Sequence, residues 1–308
     1  MGLKYVQPLF PFLLGMALIL ASQTFFAVGL VNSVLQTMLF ALVVCIPIWR
    51  TGRISYVDIG WPWGLVVLAA VSYLFSDGHW LRSLVATLAV AIIGLRMGLG
   101  AVSMWRRGFL NMEFPRYQYQ RIRWQDDGKD NIALAAQVEG ITQGLANASF
   151  LALPILIISS NNAAELFPLE LVGLFIWAAS LTAEHAADLQ KLNFLKAMKK
   201  EGEQAQVCDV GLWKYSRHPN YFFEWMVWNG LIVAAIPSWL ALRSQETLAI
   251  WLLLGLGLLL ASAVMYRTLV HLTGAIPSEY YSEQKRPGYK VYQQRTNRFF
   301  PGPRRPVH

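Results

Sequence analysis

An all-α, polytopic transmembrane helix bundle of seven or eight spans is the fold class this sequence predicts, and three observations predict it. Hydrophobic residues make up 55% of the 308 residues and charged residues only 14%, against roughly 45–50% and 25% in soluble domains. Apolar runs recur along the whole chain, most of them close to the roughly 20 residues that a bilayer crossing needs. The cations are sorted by side: 23 of the 26 Lys and Arg fall in the N-terminus, 50–60, 101–132, 188–218 and the tail from Arg267. Alternating spans put those segments together, and the positive-inside rule makes them cytoplasmic.

In chain order the apolar runs are 8–30, 33–49, 61–76, 80–100, 133–160, 166–187, 219–240 and 246–266. The first has no Ala-x-Ala-like site after it and leads straight into the second, so it reads as a retained helix rather than a signal peptide. The run at 61–76 is short and that at 219–240 is interrupted, so either could be tilted or re-entrant, giving seven spans instead of eight. With eight, both termini are cytoplasmic and only Arg82 and Arg243 lie in the opposite loops. This asymmetry accounts for the net charge of +8. It calls for anionic membrane lipids against the loops and for no nucleic acid. No repeat or long linker breaks the chain, so 1–308 reads as a single integral membrane domain, charge-poor over 1–100 and polar at its helix ends over 101–308. Cys45 and Cys208 are too few for a zinc site and fall in a span and a loop, so neither a metal nor a disulfide is expected.

Polar residues inside apolar helices are costly and mark sites or interhelical bonds. Glu184, Asp188 and Lys191 follow the sixth run at i, i+4 and i+7. One face can thus present carboxylates to hydroxyls or amides and a lysine to phosphate. In the fifth run, Gln137, Glu139, Gln143 and Asn147 form a stripe that could line a pocket or bond to neighbouring helices. Asp58, beside Tyr56, Trp61 and Trp63, is either a helix N-terminal acid or a carboxylic acid held protonated to polarise a carbonyl, a role Tyr56 could share. Arg106, Arg107, Arg116, Tyr117, Tyr119, Arg121 and Arg123 read mostly as a headgroup-facing surface. Gly94-x3-Gly98-x-Gly100 lies in a membrane helix and is no dinucleotide fingerprint.

The densest cluster is Gly211-Leu212-Trp213-Lys214-Tyr215-Ser216-Arg217-His218-Pro219-Asn220-Tyr221, followed by Phe222-Phe223-Glu224-Trp225. Rings, two cations, an amide and a carboxylate gather at a helix start. That inventory suits an anionic, aromatic cofactor, and it also suits an interfacial aromatic anchor. Arg286-Pro287-Gly288-Tyr289 in the tail could fold back over the same place.

With Glu184-x3-Asp188-x-Gln190, the Arg-His-Pro-Asn-Tyr segment and Arg286-Pro287-Gly288-Tyr289, the chain resembles the bacterial steroid 5-alpha-reductase-like membrane reductases, relatives of 3-oxo-5-alpha-steroid 4-dehydrogenase, from about Asp58 to Pro301. The resemblance implies a cofactor site that opens to the cytoplasm and holds NADPH, in a bacterial-type inner membrane. It also implies reduction of a carbon-carbon double bond conjugated to a ketone in a lipid-like substrate, steroid or isoprenoid. Gln143, Glu184, Asp188, Asn220 and Glu224 match its cofactor places and Tyr215 and Arg217 flank them, with Lys191, His218, Tyr221 and Tyr289 beside. Asp58, with Tyr56 near it, falls at the catalytic place. The glutamine-glutamate pair of the animal enzymes is missing, and Ile93 stands at their tyrosine place. The Arg-His-Pro-x-Tyr motif is also similar to that of the isoprenylcysteine carboxyl methyltransferases, which bind S-adenosylmethionine there. A non-catalytic membrane protein is the remaining alternative.

Overall fold

The structure, a computed structural model, describes residues 2–202 and 205–306. Among the described residues there is no strand, only one isolated parallel bridge between Ser216 and Asn297. Among the described residues, seven helices are long and apolar enough to cross a membrane: Leu3–Ala21, Phe26–Thr51, Ile54–Phe75, Trp80–Arg106, Ile132–Ser159, Pro219–Ser244 and Leu248–Lys285. The eighth expected run, 166–187, lies in the helix Pro168–Lys200, where Glu170, Glu184, Asp188 and the terminal lysines dilute the apolar character. An all-α multi-pass bundle is what these residues build.

The first break falls at 22–25 rather than near 31. No glycine or proline stops the first helix; a distant carboxylate does. Glu246 Oε1 accepts the Ser22 hydroxyl at 2.6 Å and the Thr24 amide at 3.0 Å, while Ser22 Oγ accepts the Phe25 amide at 3.1 Å. Backbone and side-chain donors that a helix break exposes are thereby satisfied.

The chain forms two compact units, Met1–Leu171 with Ile232–Ala261 and Val172–Leu231 with Ser262–His308. In the first, Val57–Phe75 lies along Trp80–Arg106. A Cβ on Gly94 would meet the Pro62 carbonyl oxygen at 2.7 Å, and one on Gly98 the Trp63 indole nitrogen at 3.1 Å. The Gly94-x3-Gly98 spacing is therefore a packing device that lets two backbones approach. Buried amides tie further helices to this pair: Gln36 Nε2 donates to Gly64 O at 2.7 Å, Asn147 Nδ2 to Trp61 O at 3.0 Å and Asn32 Nδ2 to Asn147 O at 3.1 Å.

Within this unit the loops collect at two ends. At one, the His79 amide bonds to Asn161 O at 2.9 Å and Asn161 Nδ2 to Ser238 Oγ at 3.0 Å. Arg82 belongs here, but not as a loop cation. It is fully buried, ion-paired with Glu170, and its Nε donates to Ala163 O at 2.7 Å. At the other end, the Tyr5 hydroxyl accepts the Asn131 amide at 2.9 Å, and the Glu113 carboxylate accepts the Ile54 and Ser55 amides at 2.9 and 3.0 Å. This second end gathers the N-terminal residues with the basic 101–132 segment.

In the second unit, Phe222, Trp225, Tyr266, Phe299 and Phe300 form an aromatic cluster with neighbouring ring centroids 5.2–6.2 Å apart. It fastens the tail that follows the Tyr289–Arg295 helix.

Candidate functional site

The Pro168–Lys200 helix presents the expected face in the second unit. Glu184 is buried, Asp188 is exposed, and Asp188 Oδ1 accepts the Asn220 Nδ2 group at 3.1 Å. The other Asn220 atom, Oδ1, is buried with no hydrogen-bond partner. A buried acceptor left in this way costs roughly 1–3 kcal/mol, which marks the spot as one where a donor is missing. Glu224 and Tyr221, both half-buried, lie on the same helix as Asn220.

One turn along the carboxylate helix, Gln190 Oε1 accepts the Leu212 amide at 2.8 Å, and Ala187 O accepts the Trp213 indole N–H at 2.9 Å. Gly211 has φ of 54°, and a Cβ there would collide with Gln190. Only glycine meets both demands. The docked turn sets the Trp213 ring under Lys191, whose Nζ is 4.2 Å from the ring centroid. Burial is the main cause that lowers the Lys191 pKa from its usual value.

Arg217 and His218, expected to contact a cofactor, are both held by Glu279. The Arg217 guanidinium is buried; its Nε donates to Glu279 Oε1 at 2.7 Å and its Nη1 to Gln293 O at 3.0 Å and to Thr296 O. Its backbone amide bonds to Asn297 O at 2.9 Å. Glu279 also takes His218 Nε2 at 3.2 Å and Arg298 Nε at 3.1 Å. Burial drives the His218 pKa down to about 4, against the pull of the Glu279 carboxylate. The neutral imidazole stacks on Tyr221, with 5.4 Å between centroids and 8° between planes. The motif is thus anchored from below by Glu279, a residue no motif had singled out. The available signal was slight: the tail from Arg267 carries eight cations and two acids, Glu279 and Glu283.

The same clamp shapes a cleft lined by Lys191, Trp213, Arg217, His218, Arg286 and Tyr289, among others, with no carboxylate in its wall. Tyr289 is buried, and burial first, then the nearby Glu279 charge, raises its pKa above the ordinary phenol value. The cleft shares Gln206, Val207 and Tyr292 with a broader groove of about 830 Å³, within the size range of small-molecule sites. Tyr215 points elsewhere: its side chain is exposed, while its carbonyl accepts the Gly302 amide at 3.0 Å.

The remaining expected residues lie in the first unit. Asp58 is half-buried and ion-paired with Arg116, and its Oδ1 accepts the Tyr117 hydroxyl at 2.7 Å. Asp58 thus meets Arg116 and Tyr117, one at each oxygen. Tyr117 is buried, not turned to headgroups, and burial followed by the Asp58 charge raises its pKa well above the usual phenol range. Tyr56 is apart from this pair, its hydroxyl taking Arg53 Nη2 at 3.2 Å. Arg121 pairs with Glu113 at 3.0 Å, which removes another cation from the expected headgroup surface. Of the fifth-run stripe, Gln137 donates to Cys45 O at 3.0 Å and Asn147 bonds as described, so both join helices. Gln143 donates to Glu139 Oε1 at 2.8 Å. Among the described residues, no three His, Cys, Asp or Glu side chains gather as metal ligands, and Cys45 and Cys208 are free thiols.

A family model described as a protein of unknown function, DUF1295, matches residues 45–296. No curated protein and no solved structure matches the chain.

Proposed function

The chain belongs to the DUF1295 family, whose function is unknown, and from that premise we propose that it is a membrane-embedded, NADPH-dependent reductase of a carbon-carbon double bond conjugated to a ketone in a lipid-like substrate. The observation that carries this reading is a division of chemistry inside one unit. Glu184, Asp188 and Asn220 offer acceptors, with Asn220 Oδ1 lacking a donor, while the adjoining cleft is cationic and acid-free. A dinucleotide supplies the complement of both: ribose hydroxyls that donate, and phosphates that accept from cations.

NADPH, when bound, supplies the hydride. The chain supplies the rest. In this reading Glu184, Asp188, Asn220 and Glu224 accept from hydroxyls and amides, and Lys191 faces phosphate. Tyr221, His218 and Tyr289 offer aromatic walls, and Arg217 positions the tail that closes the cleft. Asp58, which the resemblance puts at the catalytic place, is held in the first unit by Arg116 and Tyr117. Steroid enones and isoprenoid enones both present the required group. With the Pro168–Lys200 helix taken as the eighth span, the cations of 188–218 and the tail put the cofactor face, and both termini, on the cytoplasmic side.

Thermal unfolding of the purified full-length protein in neutral detergent tests the reading. NADPH should raise the midpoint more than S-adenosylmethionine does. Stabilisation by S-adenosylmethionine alone would assign the motif to a methyltransferase, and stabilisation by neither would remove the cofactor reading altogether.

A further inference from the structure

We propose that the first helix, Leu3–Ala21, is a lateral lid over a binding place for a bilayer-soluble lipid whose hydroxyl group reaches mid-membrane; this stands independently of the reductase reading. Every residue involved belongs to the first unit. The Ile132–Ser159 span is broken near its middle: one helix ends at Ala148, the next starts at Leu153, and Ser149 between them has φ of −128° and ψ of −112°. Pro154 keeps the break from closing, since it lacks the N–H that Phe150 O would take in a continuous helix. Irregular backbone at this depth is tolerated only where protein covers it. Residues 149–152 are accordingly buried, and the first helix is part of their cover. A Cβ on Gly15 would meet Phe150 Cζ at 2.9 Å and Ser149 Cβ at 3.1 Å, and the Phe12 and Phe150 ring centroids lie 6.2 Å apart.

The cover is lightly held. Across its apolar stretch 11% of the residues are buried, against 28–83% in the other six spanning helices. Lipid tails are as apolar as its leucines, so the hydrophobic effect does not press it against the bundle. Polar ties hold its two ends: the Tyr5 hydroxyl accepts the Asn131 amide and Lys4 Nζ donates to Gly128 O at one, and Glu246 accepts from Ser22 and Thr24 at the other. Residues 8–21 between them carry no polar side chain. The helix also lies outside the residues 45–296 that the family model matches.

Next to the break stand acceptors without donors. Asn147, two residues before Ser149, is 0% exposed and Gln36 1% exposed, and among the described residues neither Asn147 Oδ1 nor Gln36 Oε1 has a hydrogen-bond partner. Both amides sit against Gly64, where a Cβ would lie 2.3 Å from Asn147 Nδ2 and 2.6 Å from Gln36 Oε1. Their nitrogens are already committed to Trp61 O and Gly64 O. Ser33, one turn from Gln36 on the same helix, is buried with its hydroxyl likewise unpartnered. Leftover acceptors in a dry interior call for a donor. A hydroxyl answers all three groups, since it donates to an amide oxygen and accepts from the serine. These atoms are enclosed in the closed state, and lifting the first helix opens the break beside them to the hydrocarbon. The ligand is therefore apolar overall, with an O–H about half of the roughly 30 Å core away from either headgroup layer.

The test measures binding and motion. Full-length protein in neutral detergent is titrated with methyl 12-hydroxystearate and with methyl 12-methoxystearate, which keeps the chain and loses the donor, and binding is read by native mass spectrometry. The native chain should bind the alcohol about threefold to tenfold tighter than the ether, the worth of one neutral hydrogen bond. That preference should fall away in Gln36→Met and in Ser33→Ala. The serine variant removes a hydroxyl that bonds nothing in the fold, so it keeps the test valid if the glutamine variant misfolds. Glu246→Ala should speed both the appearance of bound alcohol and the hydrogen exchange of residues 8–25 by about threefold or more, while exchange in the Trp80–Arg106 helix stays as it was. Equal binding of alcohol and ether by the native chain overturns the site. A preference undiminished in both variants puts the acceptors elsewhere and overturns it as well. Unchanged binding rate and unchanged exchange in Glu246→Ala overturn the lid.

Discussion

Two carboxylates, Asp58 and Glu279, each hold an arginine and at least one further hydrogen-bond donor, and they differ in how much water reaches them. In the Asp58 pair the side chains of Arg116 and Asp58 are 35% and 15% exposed; in the Glu279 pair those of Arg217 and Glu279 are 7% and 4% exposed. The first can re-form around another partner at small cost, because solvent compensates either charge. The second cannot: removing Arg217 leaves a buried carboxylate facing only His218 and the more exposed Arg298. A binding motif therefore contains residues of two kinds. Asn220 keeps an orphaned oxygen, whereas Arg217 fixes the frame.

Substitution at the two arginines should break the comparison open most widely. Arg217→Ala should destabilise the protein by about 3–5 kcal/mol, read as denaturant unfolding in mixed micelles. Arg116→Ala should cost at most about 1 kcal/mol. Equal losses would show that the burial difference does not govern these pairs.

The next largest effect is set by pH. His218 has a folded-state pKa depressed to about 4 from 6.5, so the unfolded chain binds more protons between those values. Its stabilising contribution is complete above about pH 6.5 and is lost as the pH falls toward 4, by up to a few kcal/mol. His218→Gln should flatten the stability profile across that window.

Smaller again, Gly211→Ala should cost about 1–3 kcal/mol, since it forces a side chain into the left-handed region and against Gln190. Intrinsic tryptophan fluorescence should follow it, because the same turn seats Trp213. Tyr117→Phe, which deletes one hydrogen bond to Asp58, should cost about 1 kcal/mol in equilibrium unfolding. A larger cost would mean that the Asp58 cluster is as closed as the Glu279 cluster.

The bundle was legible because its causes are local: apolar runs of bilayer length and cations on alternating loops. The face of Glu184, Asp188 and Lys191 was legible for the same reason, since helical spacing alone brings i, i+4 and i+7 together. What escaped is non-local. The break at 22–25 carries no glycine or proline, and its carboxylate comes from Glu246, far along the chain. Glu279 as the partner of Arg217, and Asp58 as the partner of the buried Tyr117, are equally non-local. Tertiary partners of polar side chains have no periodicity, so no pattern announces them.

The buried pair of Arg82 with Glu170 bears on how the chain is made. Arg82 opens the Trp80–Arg106 helix, and its carboxylate partner is translated 88 residues later. Until then a cation destined for a dry position has no counter-charge, and the alternatives are an interfacial arginine or a helix that has not settled. Assembly of this end is consequently post-insertional: the helix pair of Val57–Phe75 and Trp80–Arg106 enters the bilayer first and locks only when Pro168 and the residues after it arrive. A nascent chain halted before Glu170 is an incomplete fold with an exposed flaw, the kind of species that membrane quality control removes.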